Sequence, residues 1–250
     1  MDLPKYESEH LARSPLVLVA AQINFEEIGR EVAHAQARAI QKSVGGHWTH
    51  LMSTPLISAT MTDTGAVNER PRQAYRLSNE GGTWSALLNP DSVTIETRAY
   101  PGWQGLREQI AGFAAAVAEE YDPSSELRLG LRYVDQIALP DERDGWEGLI
   151  PEAVLGIATD SRLGSGVLAS DQRVLLQASD SARCLMRHGL LADATGAFGK
   201  VYLLDFDVYR ESSGSYDAQS VAEGADALHD IAGALFCASI TDELLTWLRG

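Results

Sequence analysis

The run from Leu16 to Phe25, LVLVAAQINF, is apolar and β-branched in part, and it is too short for a lone core helix, so it predicts a strand. The next segment, from about Glu26 to Ser43, spaces Ile28, Val32, Ala35, Ala39 and Ile40 along one helical face, and Gly45-Gly46 supplies the stop. Between 47 and 100 the pattern changes to short alternating runs. Trp48 to Ile57 is a candidate strand interrupted by Pro55, and Gln73–Ser78, Thr83–Leu88 and Ser92–Tyr100 follow. The turn clusters Asn79-Glu80-Gly81-Gly82 and Asn89-Pro90-Asp91 separate the last three. In the last run Val93 and Ile95 alternate with Thr94, Glu96 and Arg98, the period of a strand wet on one face.

A second helix is predicted over about Trp103 to Tyr121, where Leu106, Ile110, Phe113, Val117 and Tyr121 recur at spacings of three and four before Asp122-Pro123. Then comes ELRLGLRYVDQIALP. Leu127, Leu129, Leu131, Tyr133, Ile137 and Leu139 take one side of a long strand, and Arg128, Gly130, Arg132, Val134 and Gln136 take the other. Asp135 breaks the apolar side. Residues 1–140 therefore read β-α-β-β-β-β-α-β. Residues 141–166 hold the polar, Gly-rich pieces DERDGWEG and SRLGSG around a short apolar segment, and they read as a loop or boundary. Residues 167–250 read β-β-β-α, with strands at Val167–Ala178, Ala182–Ala192 and Lys200–Tyr209. A helix over about Ala218–Ala238 follows, striped by Val221, Ala225, Leu228, Ala232 and Leu235, and Thr241-Asp242-Glu243 opens a final turn or two. The expected class is α+β: a curved, mostly antiparallel sheet with helices packed on one side, as one continuous sheet or as two similar sub-sheets.

Composition then narrows the function classes. With 45% hydrophobic and 22% charged residues the chain is expected to fold around a sizeable core. Its 35 acidic against 20 basic residues give a net charge of −15, which argues against broad nucleic-acid or anionic-membrane binding. The charge is uneven. Residues 1–140 hold 17 acidic and 12 basic residues, net −5, while residues 141–250 hold 18 and 8, net −10. Arg70, Arg72 and Arg76 form the nearest approach to a basic cluster, and they read as a solvated face before they read as an anion contact. The first fifteen residues lack the pattern of a signal peptide, and no run reaches the ~20 apolar residues of a membrane span, so a cytoplasmic location is expected. Cys184 and Cys237 have no CxxC spacing and read as small buried hydrophobes.

Common catalytic signatures are missing: no Walker loop, GxSxG elbow, HExxH helix, EF-hand loop or GxGxxG joining a strand to a helix. No catalytic set and no cofactor is expected. Among six histidines the one close pair, His47-x-x-His50, would point to opposite faces of a strand, which does not suit a metal, and His229 reads as a hydrogen-bonded structural imidazole. The carboxylates offer more. In VYLLDFDVY, Asp205 and Asp207 share one strand face, and three acids that included Asp135 would suit a divalent ion or acid/base chemistry. The plainer reading pairs Asp205 and Asp207 with arginines on adjacent strands, such as Arg128, Arg132, Arg183 or Arg187. Arg128, Arg132, Asp135, Asp205 and Asp207 are the candidate ligand-binding residues.

The stretches SPLVLVAAQINF, LRLGLRYVDQI, YLLDFDVY and LHDIAGALFCASITDELL together resemble a sporadically distributed bacterial family of proteins of about this length without an assigned activity. The most specific piece is Arg128-Leu129-Gly130-Leu131-Arg132-Tyr133; Asn is common in that family where this chain has Asp135. The resemblance implies a single full-length unit, brings no catalytic residues, and its patchy distribution fits mobile or defence-linked cargo. The functional expectation is a non-catalytic binding protein with a basic protein partner, an accessory or neutralising component of a defence or stress locus, forming a homodimer as well. The alternative is a small-ligand-binding protein or enzyme with a carboxylate and arginine cleft.

Overall fold

In a computed structural model of the chain, all residues are described except 2, 5, 7, 8, 10, 30, 57, 58, 63, 64, 69–71, 193 and 194; side chains over 56–72 and at 198 are left aside. In chain order the elements are β1 (Leu16–Phe25), α1 (His34–Val44), β2 (His50–Leu56), β3 (Ala59–Thr62), β4 (Gly65–Asn68), β5 (Arg72–Ser78), β6 (Trp84–Leu88), β7 (Ser92–Thr97), α2 (Trp103–Tyr121), β8 (Glu126–Ala138), α3 (Glu152–Leu155), β9 (Gln172–Gln177), β10 (Arg183–Ala192), β11 (Phe198–Glu211), α4 (Ala218–Ser239) and α5 (Asp242–Arg249). The fold is α+β. Nine strands form one open antiparallel sheet in the order β2-β5-β6-β7-β1-β8-β11-β10-β9, and β3 and β4 form a separate hairpin. Among the described residues no single helix is long and apolar enough to cross a membrane; α4 and α5 reach that length and composition only as a pair bent by 111°.

By compactness the chain divides into two interleaved units, one of residues 1–19, 130–210 and 226–250, the other of residues 20–129 and 211–225. In the second, β2, β5, β6 and β7 form an antiparallel meander whose register runs Leu51↔Leu77, Leu77↔Ala86 and Ala86↔Ile95. Leu77, Ala86 and Ile95 are all fully buried, so the row fixes which face of the meander meets the core. On α2, Leu106, Ile110, Phe113, Val117 and Tyr121 are buried at the expected spacing. Trp48 sits edge-on to Phe113 at 5.1 Å and to Trp84 at 6.0 Å, and its indole N–H donates to Gln109 at 2.9 Å. The helix ends at Asp122, which adopts the left-handed conformation (φ 49°) just before Pro123.

The first helix starts later than its periodicity suggests. Glu26–Gly29 and Glu31–Ala33 are not helical: Glu26 and Ile28 donate backbone hydrogen bonds to Ser125 and Pro90, and Gly29 sits at φ 66°. These long-range bonds capture the backbone groups that a helix would have used internally. Gln36 then accepts from the Ala33 N–H at 3.2 Å and opens α1. The hairpin of β3 and β4 also goes beyond the sequence pattern, and the strand expected from Val167 begins only at Gln172. Arg70 lies outside the described residues.

In the first unit, β9, β10 and β11 are antiparallel neighbours, with Cys184, Met186, His188 and Leu190 of β10 facing Val208, Phe206, Leu204 and Tyr202 of β11 on the buried side. His188 Nδ1 lies 3.0 Å from the Tyr202 hydroxyl, which itself donates to the Val154 carbonyl at 3.1 Å, so the ring nitrogen is the donor. The segment 141–166 is folded within this unit. Trp146 is buried, donates to the Gly199 carbonyl at 2.7 Å and packs on Tyr202, while Leu149 and Ile150 are 2% and 1% exposed. Thr241 donates its N–H to Leu149 and caps α5 by accepting from Leu244.

Gly189 is where β10 comes closest to the chain entering β9. A Cβ there would lie 2.0 Å from the Ser170 carbonyl oxygen, and Ser170 and Leu190 are tied by two hydrogen bonds. Because the obstacle is backbone, Gly189→Ala is expected to lower stability by about 2 kcal/mol, read as a lower urea midpoint at unchanged m-value. An unchanged midpoint would mean that the Ser170 segment yields freely.

Candidate functional site

Alternation along β8, β10 and β11 sorts the candidate residues by face. Arg132 lies on the parity of Arg128 and Gly130, and Asp205 and Asp207 lie on that of Leu203 and Tyr209, the opposite side of β11 from buried Leu204 and Phe206. The Arg132 guanidinium meets Asp205 as a two-pronged fork: Nε donates to Oδ1 at 2.8 Å and Nη2 to Oδ2 at 2.7 Å. The two ends differ in exposure, 47% for the arginine side chain against 6% for the carboxylate. The hydrogen bond to Asp205 is the main reason that Arg132 holds its proton more tightly than usual, and Asp207 adds attraction.

The charges continue across the strands. Arg187 stands directly opposite Asp205 on β10 and is opposed in turn by Arg173 on β9. Arg187 donates through Nε and Nη2 to Asp171, at 2.8 and 3.0 Å, and that bond holds the Asp171 carboxyl below its usual range. Arg132, Asp205, Arg187 and Asp171 therefore form a ladder of alternating sign on one face of the sheet. The sequence pointed to Arg132 and Arg187 as partners for these acids. Asp171 was not singled out, because its meeting with Arg187 depends on the hairpin register about Ser179-Asp180.

Asp135 behaves differently. It shares the parity of Leu131, Tyr133 and Ile137 and is 6% exposed. Burial, reinforced by the charge of Asp205, pushes its carboxyl up to about 7. Arg128 belongs to the other unit, where its Nη1 donates to Gln22 at 3.3 Å and Gln22 donates to Thr94 at 3.2 Å. Of the five candidates, Arg132, Asp205 and Asp207 come together, Asp135 stands within electrostatic reach of Asp205 on the other parity, and Arg128 is engaged elsewhere.

Among the described residues no group of three or more His, Cys, Asp or Glu is placed to hold a metal ion. His229 Nδ1 lies 2.9 Å from the Tyr133 hydroxyl with Tyr6 edge-on at 5.5 Å, and burial lowers its pKa to about 4. His47 packs against Trp48 and Trp84 at 4.9 and 5.3 Å. The Cys184 thiol is buried and pushed up to about 12, first by burial and then by Asp207 and Asp205. Arg76 donates to the Ser85 hydroxyl at 2.7 Å. In the unit of residues 20–129, a cavity of about 520 Å³ is lined by Arg38, Gln41, Lys42, Gly45, Gly46 and Trp48.

A second feature emerges in the 141–152 segment. Asp141, Glu142, Asp144, Glu147 and Glu152 are exposed, and the one base among them, Arg143, is ion-paired with Glu243. Asp242 and Glu243, exposed in the first turn of α5, stand beside it: Glu243 Oε2 would touch a Cβ at Gly148 at 3.4 Å, and the Thr241 hydroxyl donates to Leu149 at 3.1 Å. Five exposed carboxylates thus lie on a segment anchored by Trp146, Leu149 and Ile150, and α5 adds Asp242 and Glu243, the second of them paired with Arg143. The composition of 141–250 located this excess in sequence, but the docking of α5 against Gly148 and Leu149 was not legible. Compared with known proteins, the chain matches no family model and no curated protein.

Proposed function

We propose that the protein is a non-catalytic interaction protein whose acidic 141–152 segment, with Asp242 and Glu243, docks the basic surface of a protein partner, and that it serves as an accessory or neutralising component of a bacterial defence or stress locus. The locus rests on the family resemblance; the surface rests on the anchored acidic segment. Its buried Trp146, Leu149 and Ile150 fix the backbone, so the carboxylates are displayed with little ordering entropy left to lose on binding. Like-signed charge gathered on one fixed surface steers an oppositely charged partner and sets specificity.

Neutralising four exposed positions together, Asp141→Asn, Glu142→Gln, Asp144→Asn and Glu147→Gln, tests this. Capture from native host extract should yield a basic partner with the wild type, weaken as salt is raised, and fall at least about tenfold with the variant, because each lost charge pair removes part of the attraction. No partner at physiological salt, or capture indifferent to the four changes, would count against the reading.

One observation favours a second reading, a small-ligand site or enzyme around β8 and β11: a buried carboxyl poised near neutrality beside another acid is the kind of group that ligand and catalytic sites collect. It predicts that a divalent ion or an anionic metabolite raises the melting temperature of the wild type but not of Asp205→Ala. A flat thermal-shift screen over metals, nucleotides and common metabolites would end it.

A further inference from the structure

The strand β9, QRVLLQ, stands at one end of the sheet order, with β10 on one side and no named strand on the other. Two of its three apolar side chains are exposed, Val174 at 41% and Leu175 at 62%, and Leu185, the β10 residue directly opposite Leu175, is 42% exposed. Three more large apolar side chains, Ile157, Leu163 and Leu168, are exposed in the chain leading into β9. An edge strand offers unpaired N–H and C=O groups, and proteins blunt such edges with proline, lysine, bulges or charges pointing inward. The opposite edge, β2, carries Pro55. The strand β9 has no proline and no lysine, its one charge is the exposed Arg173 near its start, and it pairs with β10 in an unbroken register from Arg183↔Gln177 to His188↔Gln172.

We infer that β9 is the docking edge for a second copy of this chain, which adds antiparallel about a two-fold axis at Leu175. The sequence of the strand supplies the argument. Around Leu175 the pattern is a palindrome of polarity: Arg173 and Gln177 outermost, Val174 and Leu176 next, Leu175 at the centre. A two-fold axis perpendicular to the sheet keeps each side chain on its own face, so it pairs residues whose numbers sum to an even value. Centred on Leu175, Val174 meets Leu176 of the second copy, Leu175 meets Leu175, and Arg173 meets Gln177. Centred on Val174, Arg173 would meet Leu175 and Gln172 would meet Leu176, a polar residue against an apolar one each time. The Leu175 register also separates the two copies of Arg173 by four residues, about 13 Å along the strands, so no like charges are opposed. On that face Leu185 and Leu175 of one copy continue into Leu175 and Leu185 of the other, turning two exposed leucine pairs into one apolar row. The main chain supplies the affinity and the row the register, as in other strand-addition interfaces.

The interface is independent of the acidic segment, and salt tells them apart. Two chains of net charge −15 repel, so screening should tighten self-association while it weakens docking of a basic partner. Sedimentation or light scattering of the full chain is expected to show a dimer that strengthens as salt is raised. Leu175→Lys, at an exposed position that leaves the fold unchanged by circular dichroism, should raise the dissociation constant at least about tenfold by placing two ammonium groups face to face. Leu175→Cys should form an intermolecular disulfide under mild oxidation, since side chains paired at the axis lie within disulfide reach, whereas Arg173→Cys should not. A monomer at the highest concentration reached, a dimer indifferent to Leu175→Lys, or a cross-link at Arg173→Cys or Val174→Cys in place of Leu175→Cys would overturn the inference.

Discussion

Asp135→Asn is expected to gain stability relative to the wild type as pH rises from about 4 to about 7, because it removes a titration that works against folding over that interval. The sign follows from where the proton resides. Asp135 has an ordinary value of 3.8 and is pushed up to about 7 in the folded chain, so the folded state keeps a proton that the unfolded state releases. Below the unfolded value both states are protonated and the group costs nothing on this account. As pH rises through the interval, each unit subtracts about 1.4 kcal/mol from folding, until above the folded value the loss levels off at about 4 kcal/mol. Asparagine keeps the shape but does not titrate. Its own burial cost shifts the whole curve equally at every pH, so the decisive quantity is the gap between variant and wild type as pH changes. Urea unfolding of both proteins at about pH 5 and about pH 8 should show that gap moving in favour of asparagine by roughly 3 kcal/mol. A constant gap would show that Asp135 is solvated or hydrogen-bonded in the folded chain.

The elements with an unbroken period were legible in the sequence to within a residue or two. β1 and α2 fall on their expected bounds, and α4 differs by one residue, because in each a single face carries the apolar residues and a clear stop follows. The start of α1 was not legible. The spacing of Ile28 and Val32 suits a helix, but the hydrogen bonds from Glu26 and Ile28 go to Ser125 and Pro90, partners about 100 and 62 positions away, and no local window contains them. The site divides in the same way. Strand alternation alone put Asp205 and Asp207 on one face and made Asp135 the exception on an apolar face. Which arginine each acid would meet depends on register between β8, β10 and β11, set by the whole sheet. Asp171 meets Arg187 through the β9–β10 register, and α5 meets Gly148 and Leu149 as a helix docked on a loop, so both lay beyond any reading of neighbouring residues.

Arg132→Met should cost about 3 kcal/mol of stability, far more than the exposure of the arginine suggests. Arg132 itself is half in water, and an ion pair between two such groups would be worth little. Its partner decides the outcome. The Asp205 carboxylate is 6% exposed and has both oxygens occupied by the Arg132 fork, so truncating the arginine strands a charge that water cannot reach, with Arg187 on the neighbouring strand as the remaining cation opposite it. Arg132→Lys keeps the charge but not the two parallel donors, and should fall between wild type and methionine. The double change Arg132→Met with Asp205→Leu removes both the stranded charge and its need, and should recover most of the loss, because a buried carboxylate is costly to leave without its cation, whereas apolar residues of similar size in place of both partners lose little. Urea midpoints of the four proteins form the test; Arg132→Met within about 1 kcal/mol of wild type would mean that Asp205 does not rely on the fork. The same double variant carries a second consequence. Without the Asp205 charge, Asp135 loses the repulsion that adds to its burial, so the pH at which stability declines should shift upward less from the ordinary carboxyl range than in the wild type. A coupling of that kind, read as a lowered midpoint in the double variant, would tie the two sides of the sheet into one electrostatic unit; an unmoved midpoint would leave burial as the whole cause.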